Sequence, residues 1–116
     1  MDSHMPFLDE SESVTYQGLA TYQDGVIGVG GKMTLTGKRL LFTSHKINFG
    51  RQNIVFPLTD IEEITKAWVK ILGIIPIIPN GLIVRKKDKS KFLFAVFNRN
   101  EWITLIQKEM SHLSDG

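Results

Sequence analysis

Apolar and polar residues alternate most clearly in the middle of the chain, through residues 34–44. Met33 and Leu35 alternate with polar residues, the pattern breaks at Gly37, and apolar residues return at positions 40–42. This pattern predicts two antiparallel strands joined by a tight glycine turn. A hairpin alone is only marginally stable in water, so further strands or a helix must cover its apolar face.

The segment before this hairpin predicts one more strand and a glycine-rich connection. Residues 14–22 are rich in β-branched and aromatic side chains, with Gly18 as a candidate bulge. The glycines of residues 25–31 do not fit a nucleotide-binding loop, because an alternating strand, not a helix, follows from Lys32. We therefore expect residues 25–31 to form a connection and the second strand to begin at Lys32.

A fourth and a fifth strand are predicted after a polar loop at residues 45–53. Apolar residues alternate through 54–58, and Pro57 places this strand at a sheet edge or at a bulge because proline cannot donate a hydrogen bond. Residues 60–64 fit a short helical turn. The segment 64–70 then alternates as a strand, although its apolar residues also fit a helical stripe, so both structures stay open.

The next part of the chain contains its most apolar stretch, residues 72–79. Two prolines and flanking polar residues keep it far below the roughly 20 apolar residues that span a bilayer. We expect a loop here, a sixth strand from Asn80 to Val84, a polar turn at 85–91, and a seventh strand at 92–97 that is buried on both faces.

The last predicted element is an amphipathic helix. Asn98 can cap it, Glu101 stands at the third helical position, and Phe97 and Trp102 occupy the positions of a hydrophobic staple. An apolar stripe follows at helical spacing: Trp102, Leu105, Ile106, Met110 and Leu113. The predicted fold class is mainly β with one C-terminal helix, a seven-stranded bent sandwich or open barrel.

Length and composition indicate a single soluble domain. The chain has 116 residues, of which 42% are hydrophobic and 22% are charged, and it has no cysteine. The first five residues resemble an expression-vector remnant, and we expect residues 1–13 to be a disordered acidic tail before a domain at 14–113. The acidic start lacks the basic and apolar regions of a signal peptide, which favours a cytoplasmic location, with peripheral attachment to a membrane left open.

The charge is concentrated in the folded part of the chain. All 14 lysines and arginines lie between Lys32 and Lys108, whereas five of the 12 acidic residues lie outside residues 13–112, which leaves a net charge of +7 there. A basic body favours an anionic partner such as a lipid surface or a phosphate ligand, although lysines that only maintain solubility explain it equally well.

Four blocks of sequence resemble the successive blocks of a GRAM domain, over about residues 14–110. They are T-G-K-R-L-L-F-T-S at 36–44, I-V-F-P-L-T-D-I at 54–61, N-G-L-I-V at 80–84 and F-A-V-F-N-R-N-E-W at 94–102. The resemblance implies a pleckstrin-homology-like fold of two crossed antiparallel sheets capped by a C-terminal helix. It also implies a binding module of membrane-associated proteins that recognises phosphoinositides or other anionic lipids.

Two groups of residues are candidates for such a site. Lys32 follows the first predicted connection, and Lys46 and Arg51 lie in the third, so that all three share one end of an up-and-down sheet. The resemblance adds the turn with Arg85, Lys86 and Lys87, which simple alternation puts at the opposite end. The second group forms an apolar contact loop: Ile71, Leu72, Ile74, Ile75, Ile77 and Ile78. This loop could enter the core, a partner or a membrane interface.

The alternative function is protein–protein interaction or self-association, through the edge strand and the isoleucine-rich loop. Catalysis has little support, because His4, His45 and His112 share no spacing that would bring them onto one metal, and the neighbouring Glu62 and Glu63 point in different directions. We expect a non-catalytic protein that requires no cofactor or metal. Nucleic acid is not an expected partner, because most aromatic residues alternate into the core.

Overall fold

The computed structural model describes residues 12–24, 27–45, 53–71 and 74–115, with the backbone alone at 24, 27, 68–71, 74–79 and 114–115. Within these residues, seven strands and one long helix follow one another. They are β1 (Val14–Asp24), β2 (Ile27–Thr36), β3 (Arg39–Ser44), β4 (Asn53–Pro57), β5 (Ile61–Ile71), β6 (Ile74–Lys86), β7 (Lys91–Val96) and α1 (Arg99–Asp115). A short 3₁₀ helix, Leu58–Asp60, connects β4 to β5.

All seven strands join in one antiparallel sheet with the order β4-β3-β2-β1-β7-β6-β5. The predicted fold class is confirmed: the structure is mainly β, with seven antiparallel strands and a C-terminal helix. The prediction for Pro57 is also confirmed, because it ends β4, an edge strand that is paired with β3.

The sheet is strongly bent, so that its two halves pack against each other. The rings of Phe56 on β4 and Phe92 on β7 have centroids 5.0 Å apart, and those of Phe42 on β3 and Phe94 on β7 are 5.4 Å apart. In a flat sheet, β4 and β7 would be about 19 Å apart, four strand spacings. The two predicted sheets are therefore continuous through β1 and β7 and enclose one core.

Helix α1 covers the core beside the first residues of β1. The ring of Trp102 meets that of Tyr16 edge to face with centroids 4.7 Å apart, and the tryptophan is 1% exposed. Ile106 is fully buried, and Leu105 and Met110 pack against the same core. The predicted apolar stripe is thus the buried face of α1 as far as Met110, and Leu113 beyond it is exposed.

Residues 28–31 belong to a strand, which corrects the predicted connection. β2 begins at Ile27 and pairs with β1 along its whole length. Gly31 lies so close to β3 that an added Cβ would meet the carbonyl oxygen of Thr43 and lie 2.8 Å from Cζ of Phe42. Glycine is therefore needed here for close approach inside the sheet, not for a loop.

Residues 74–79 of the predicted loop are also strand backbone, whereas residues 72 and 73 lie outside the described residues. β6 begins at Ile74, not at Asn80, and β5 is a strand, so the helical alternative for that segment is wrong. The β5–β6 ladder shifts register between Ala67 and Val69 and again between Val69 and Ile71, with the extra residues on β6. Pro76 and Pro79 fall in these two irregular stretches, because a residue without an N–H group is accommodated at bulges.

The seventh strand and the helix start differ from their predictions. Phe94 and Val96 of β7 are buried, but Leu93 and Ala95 on the other face are half-buried, so β7 is not buried on both faces. Phe97 is 71% exposed and makes no hydrophobic staple with Trp102. α1 starts after Asn98, which has a positive φ of 56° and whose carbonyl accepts hydrogen bonds from the N–H groups of Glu101 and Trp102.

Candidate functional site

The basic residues at the end of β6 are held by acidic partners. Arg85 Nε donates a hydrogen bond to Glu62 Oε1 at 3.2 Å, and its guanidinium also contacts the Glu63 carboxylate. Lys86 Nζ lies 3.4 Å from Asp60 Oδ2. Much of the positive charge predicted to meet an anionic ligand is therefore balanced by carboxylates from the 3₁₀ helix and β5.

The turn between β6 and β7 is fixed by further ionic and polar contacts. Lys89 Nζ donates to both oxygens of Glu62, at 3.0 and 2.8 Å, and this bond is the main cause that lowers the pKa of the exposed Glu62 carboxyl. The Asp88 carboxylate accepts hydrogen bonds from the hydroxyl and the N–H of Ser90, which lower the pKa of Asp88. Lys87 and Lys91 have no carboxylate partner within the described residues.

Lys32 has different surroundings, on the outer face of the sheet. Its neighbours across the strands are Leu19 on β1 and Thr43 on β3. The side chain is half-buried, and no carboxylate among the described residues pairs with it. Leu19 is a large apolar side chain that is 57% exposed.

Phe97, the residue after β7, extends this pair into a row that runs from β2 over β1 to the end of β7. Ala20 lies opposite Val96, and this is the last pair of the antiparallel β1–β7 ladder. Leu19 and Phe97 are the residues just beyond this pair, one on each chain segment, and they are therefore neighbours. We call Lys32, Leu19 and Phe97 the outer row: a cation, an aliphatic side chain and an aromatic one. Sequence reasoning missed Leu19 and Phe97 as site residues, although alternation with the buried Ala20 and Val96 is the signal that places them outside.

A shallow groove of about 260 Å³ lies beside the outer row. Its lining is mostly apolar or glycine: Leu19, Ala20, Thr21, Gly30, Gly31, His45, Asn80, Ala95, Val96 and Phe97. Among the described residues, the Asn80 side-chain oxygen in this lining is buried and has no hydrogen-bond partner. The His45 N–H donates to the Gly30 carbonyl at 2.9 Å, so the chain leaves this groove toward the β3–β4 connection. Lys46 and Arg51 follow in that connection and lie outside the described residues.

The β5–β6 hairpin begins at the same groove. β7 pairs with β6 only from Gly81 to Arg85, so residues 74–80 of β6 pair with β5 alone. At the base of this two-stranded extension, Arg99 Nη1 donates to the carbonyls of Ala67 and Gly81 at 2.8 and 3.2 Å.

The predicted apolar contact residues are on this extension. Ile71, Ile74, Ile75, Ile77 and Ile78 belong to its backbone, whereas Leu72 lies outside the described residues.

The structure separates the basic turn with Arg85, Lys86 and Lys87 from the predicted apolar contact residues. Arg85 and Ile74 are 11 positions apart on β6, which corresponds to about 35 Å of extended strand. The β6–β7 turn and the hairpin tip are therefore at opposite ends of one strand. The outer row and its groove are at the hairpin end, with Lys32 the one described member of the predicted basic set there.

Within the described residues, no three histidine, cysteine, aspartate or glutamate side chains are grouped so that they could hold a metal ion. The candidate acidic pair Glu62 and Glu63 is engaged by Arg85. His112 Nδ1 lies 3.9 Å from Glu109 on α1. The described part of the chain also contains no helix long and apolar enough to cross a membrane.

Comparison with known proteins gives the family. The profile of the GRAM domain matches residues 2–114. The chain belongs to the GRAM domain family. GRAM and pleckstrin-homology-like domains are typically non-catalytic modules that bind lipids or proteins. No curated protein sequence matches this chain.

Solved structures show the same fold at low sequence identity. The C-terminal domain of a protein of unknown function from Leishmania infantum superposes with a TM-score of 0.74 at 15% identity, covering 91% of this chain and 90% of that one. The Slm1 PH domain in complex with phosphoserine gives 0.61 at 12% identity over 84% and 96%. The DH/PH domains of PDZ-RhoGEF in complex with activated RhoA give 0.66 at 10% identity, and this chain covers 33% of that chain. This GRAM domain thus has a pleckstrin-homology-like fold.

Proposed function

We propose that this GRAM domain binds the surface of an anionic membrane through the outer row and the tip of the β5–β6 hairpin. The observation that carries the proposal is the exposure of Phe97 and Leu19 at neighbouring positions, with Lys32 directly opposite Leu19. Exposed apolar side chains beside a cation suit the boundary between lipid headgroups and acyl chains.

We expect the binding of this domain to an anionic membrane to be weak and reversible. Full burial of a leucine or phenylalanine is worth about 1.5–3 kcal/mol, and each basic residue near an anionic surface adds about 1 kcal/mol. Lys32 supplies one such charge, and Lys46 and Arg51, which lie outside the described residues, are two further basic residues of the sequence after His45. Part of this energy is lost to association entropy, so binding should be weak and should decrease with salt.

The turn with Arg85, Lys86 and Lys87 is not part of the proposed surface. The charges of Arg85 and Lys86 already interact with Glu62, Glu63 and Asp60. An anionic lipid would have to compete with these carboxylates. The apolar hairpin tip is also at the other end of β6, so the two could not share one headgroup.

The structural neighbours are compatible with an anionic ligand and also with a protein partner. The Slm1 PH domain was solved with phosphoserine, which carries a phosphate, and the PDZ-RhoGEF fragment was solved with RhoA, which is a protein. The unbalanced Lys32 in the outer row favours the lipid alternative for this face.

Vesicle co-sedimentation tests the proposal. The wild-type protein should sediment with vesicles of phosphatidylcholine plus phosphatidylserine or a phosphoinositide, and not with phosphatidylcholine alone. The double variant Leu19→Ser, Phe97→Ser and the single variant Lys32→Glu should each weaken binding about tenfold, which corresponds to 1.4 kcal/mol. Leu113→Ser and Lys91→Glu, on exposed residues outside the outer row and its groove, are the matched controls. Equal sedimentation of all five proteins would contradict the proposal.

A second candidate function, self-association, is favoured by the open edges of the hairpin. Residues 74–80 pair on one side only, and β5 is the last strand of the sheet, so backbone donors and acceptors are available for another copy. The variant Ile75→Asp, Ile77→Asp separates the two functions by light scattering and sedimentation. A smaller solution mass would indicate self-association, whereas an unchanged monomer with reduced vesicle binding would indicate membrane contact.

A further inference from the structure

We infer that a second groove, between the 3₁₀ helix and the C-terminal half of α1, binds an apolar and acidic peptide segment of a partner protein. This partner groove has a volume of about 310 Å³. Its lining residues are Leu58, Thr59, Ile61, Lys87, Met110 and Leu113. The shape and charge of the groove are independent of membrane binding by the outer row, and only the preference for a protein over a lipid that its position gives rests on that proposed function.

The lining of the partner groove suits one or two apolar side chains. Leu58 and Ile61 are buried and form its floor, and Met110 packs partly against the core. Leu113 is 41% exposed, although it is the last apolar residue of the helix stripe. The groove is at the lower limit of the about 300–1,000 Å³ typical of ligand pockets, so it fits side chains better than a whole lipid.

Lys87 gives the partner groove its charge preference. Within the described residues of the same turn, Arg85, Lys86 and Lys89 each have a carboxylate partner, whereas Lys87 has none. Its backbone is fixed, because its N–H donates to the Asp60 carbonyl at 2.9 Å. Asp60 is the acidic residue of the 3₁₀ helix Leu58–Asp60, and its side chain lies by Lys86. A carboxylate from outside can therefore complement the Lys87 ammonium beside an apolar surface.

The position of the partner groove also favours a protein over a lipid. Lys87 follows the last residue of β6, at the opposite end from the apolar hairpin tip. A domain that rests on a membrane by the hairpin tip and the outer row would direct Lys87 and Leu113 away from the lipid. Both surfaces could then be occupied at once, one by the membrane and one by a protein.

The test uses a phage-displayed library of random peptides and the whole chain. The library is first depleted on the double variant Lys87→Glu, Leu113→Asp and then selected on the wild-type protein. Enriched peptides should carry Asp, Glu or a free terminal carboxylate within a few residues of a large apolar side chain. A synthetic peptide of this kind should bind about tenfold more weakly to Lys87→Glu and to Leu113→Asp, and equally well to Lys91→Glu.

Exchanging the charges of the peptide and of residue 87 distinguishes loss of binding from loss of folding. The peptide with its acidic residue replaced by Lys should bind Lys87→Glu better than it binds the wild-type protein. Failure to enrich acidic apolar peptides, equal binding to Lys87→Glu, or no recovery on charge exchange would overturn the inference. Loss of vesicle sedimentation in Lys87→Glu and Leu113→Asp would also overturn it, because the groove would then be a lipid site.

Discussion

The Glu12 carboxylate and the Arg39 guanidinium form a two-point ion pair at the turn between β2 and β3. Arg39 Nε donates to Glu12 Oε2 at 3.0 Å and Arg39 Nη2 to Glu12 Oε1 at 2.7 Å. The Thr36 hydroxyl donates to the same carboxylate at 2.7 Å, and the Glu12 side chain is 1% exposed. The folded unit therefore includes Glu12, two residues before the predicted domain boundary at Val14.

Glu12→Gln should destabilise the protein. A buried carboxylate that loses its charge leaves Arg39 with a weaker partner, and we expect a loss of about 1–3 kcal/mol in the free energy of unfolding. Urea titration of the wild-type protein and the variant measures this loss in the free energy of unfolding. In a double-mutant cycle with Arg39→Gln, the two losses should add to more than the loss in the double variant. Additive losses would show that the pair contributes nothing of its own.

Trp102→Ala should cost about 3–5 kcal/mol of folding stability, as truncation of a large buried aromatic side chain does. Trp102 is buried against Tyr16, and its ring lies 3.6 Å from the position of a Cβ added at Gly18. Phe97→Ala is the matched control, since its ring is exposed, and it should change stability by less than about 0.5 kcal/mol. Similar losses in the two variants would mean that α1 does not cover the core.

Arg99→Ala should loosen the base of the β5–β6 hairpin. The side chain donates to the carbonyls of Ala67 and Gly81, and removal of these bonds should lower the local opening free energy by about 1–2 kcal/mol. Amide hydrogen exchange should accelerate around Ala67 and Gly81. Exchange in the β2–β3 ladder is the internal control, and an equal acceleration there would indicate global destabilisation instead.

The Glu62 carboxyl should contribute a pH-dependent part of the stability. Its pKa is lowered from the ordinary value of 4.5, first by the hydrogen bond from Lys89. A lowered pKa in the folded state means that the contribution is present above pH 4.5 and is lost as the pH falls through the lower, folded value. Glu62→Gln should therefore show a shallower loss of stability on acidification than the wild-type protein. Parallel pH profiles would contradict this role.

Much of the fold could be predicted because alternation reports which side chains face the core. Alternation identified the hairpin around Gly37, helical spacing identified the cover provided by Trp102, and the missing donor of Pro57 identified an edge strand. The prediction failed where residues typical of loops are paired within strands of the sheet. The glycines at 28–31 and the prolines at 76 and 79 look like loop residues, yet close strand approach and bulges accommodate them within β2 and β6.

The candidate site was harder to predict because it depends on contacts between distant residues. Sequence shows the charge of Arg85, but not that Glu62, 23 positions away, will accept its hydrogen bond. Burial has the same limitation: whether Leu19 and Phe97 are exposed depends on what covers the outer face of β1. Alternation with Ala20 and Val96 places these two side chains on the outer face, but how much of each stays exposed is a property of the assembled sheet.

A fluorescence scan with single cysteines tests most directly the claim that the outer row and the hairpin tip meet the membrane. The chain has no cysteine, so Phe97→Cys, Ile75→Cys and Leu113→Cys can each carry one environment-sensitive label. With anionic vesicles, the labels at positions 97 and 75 should shift to the blue as they enter an apolar environment, and the label at 113 should not. A blue shift at 113 with none at 97 and 75 would contradict the proposed orientation.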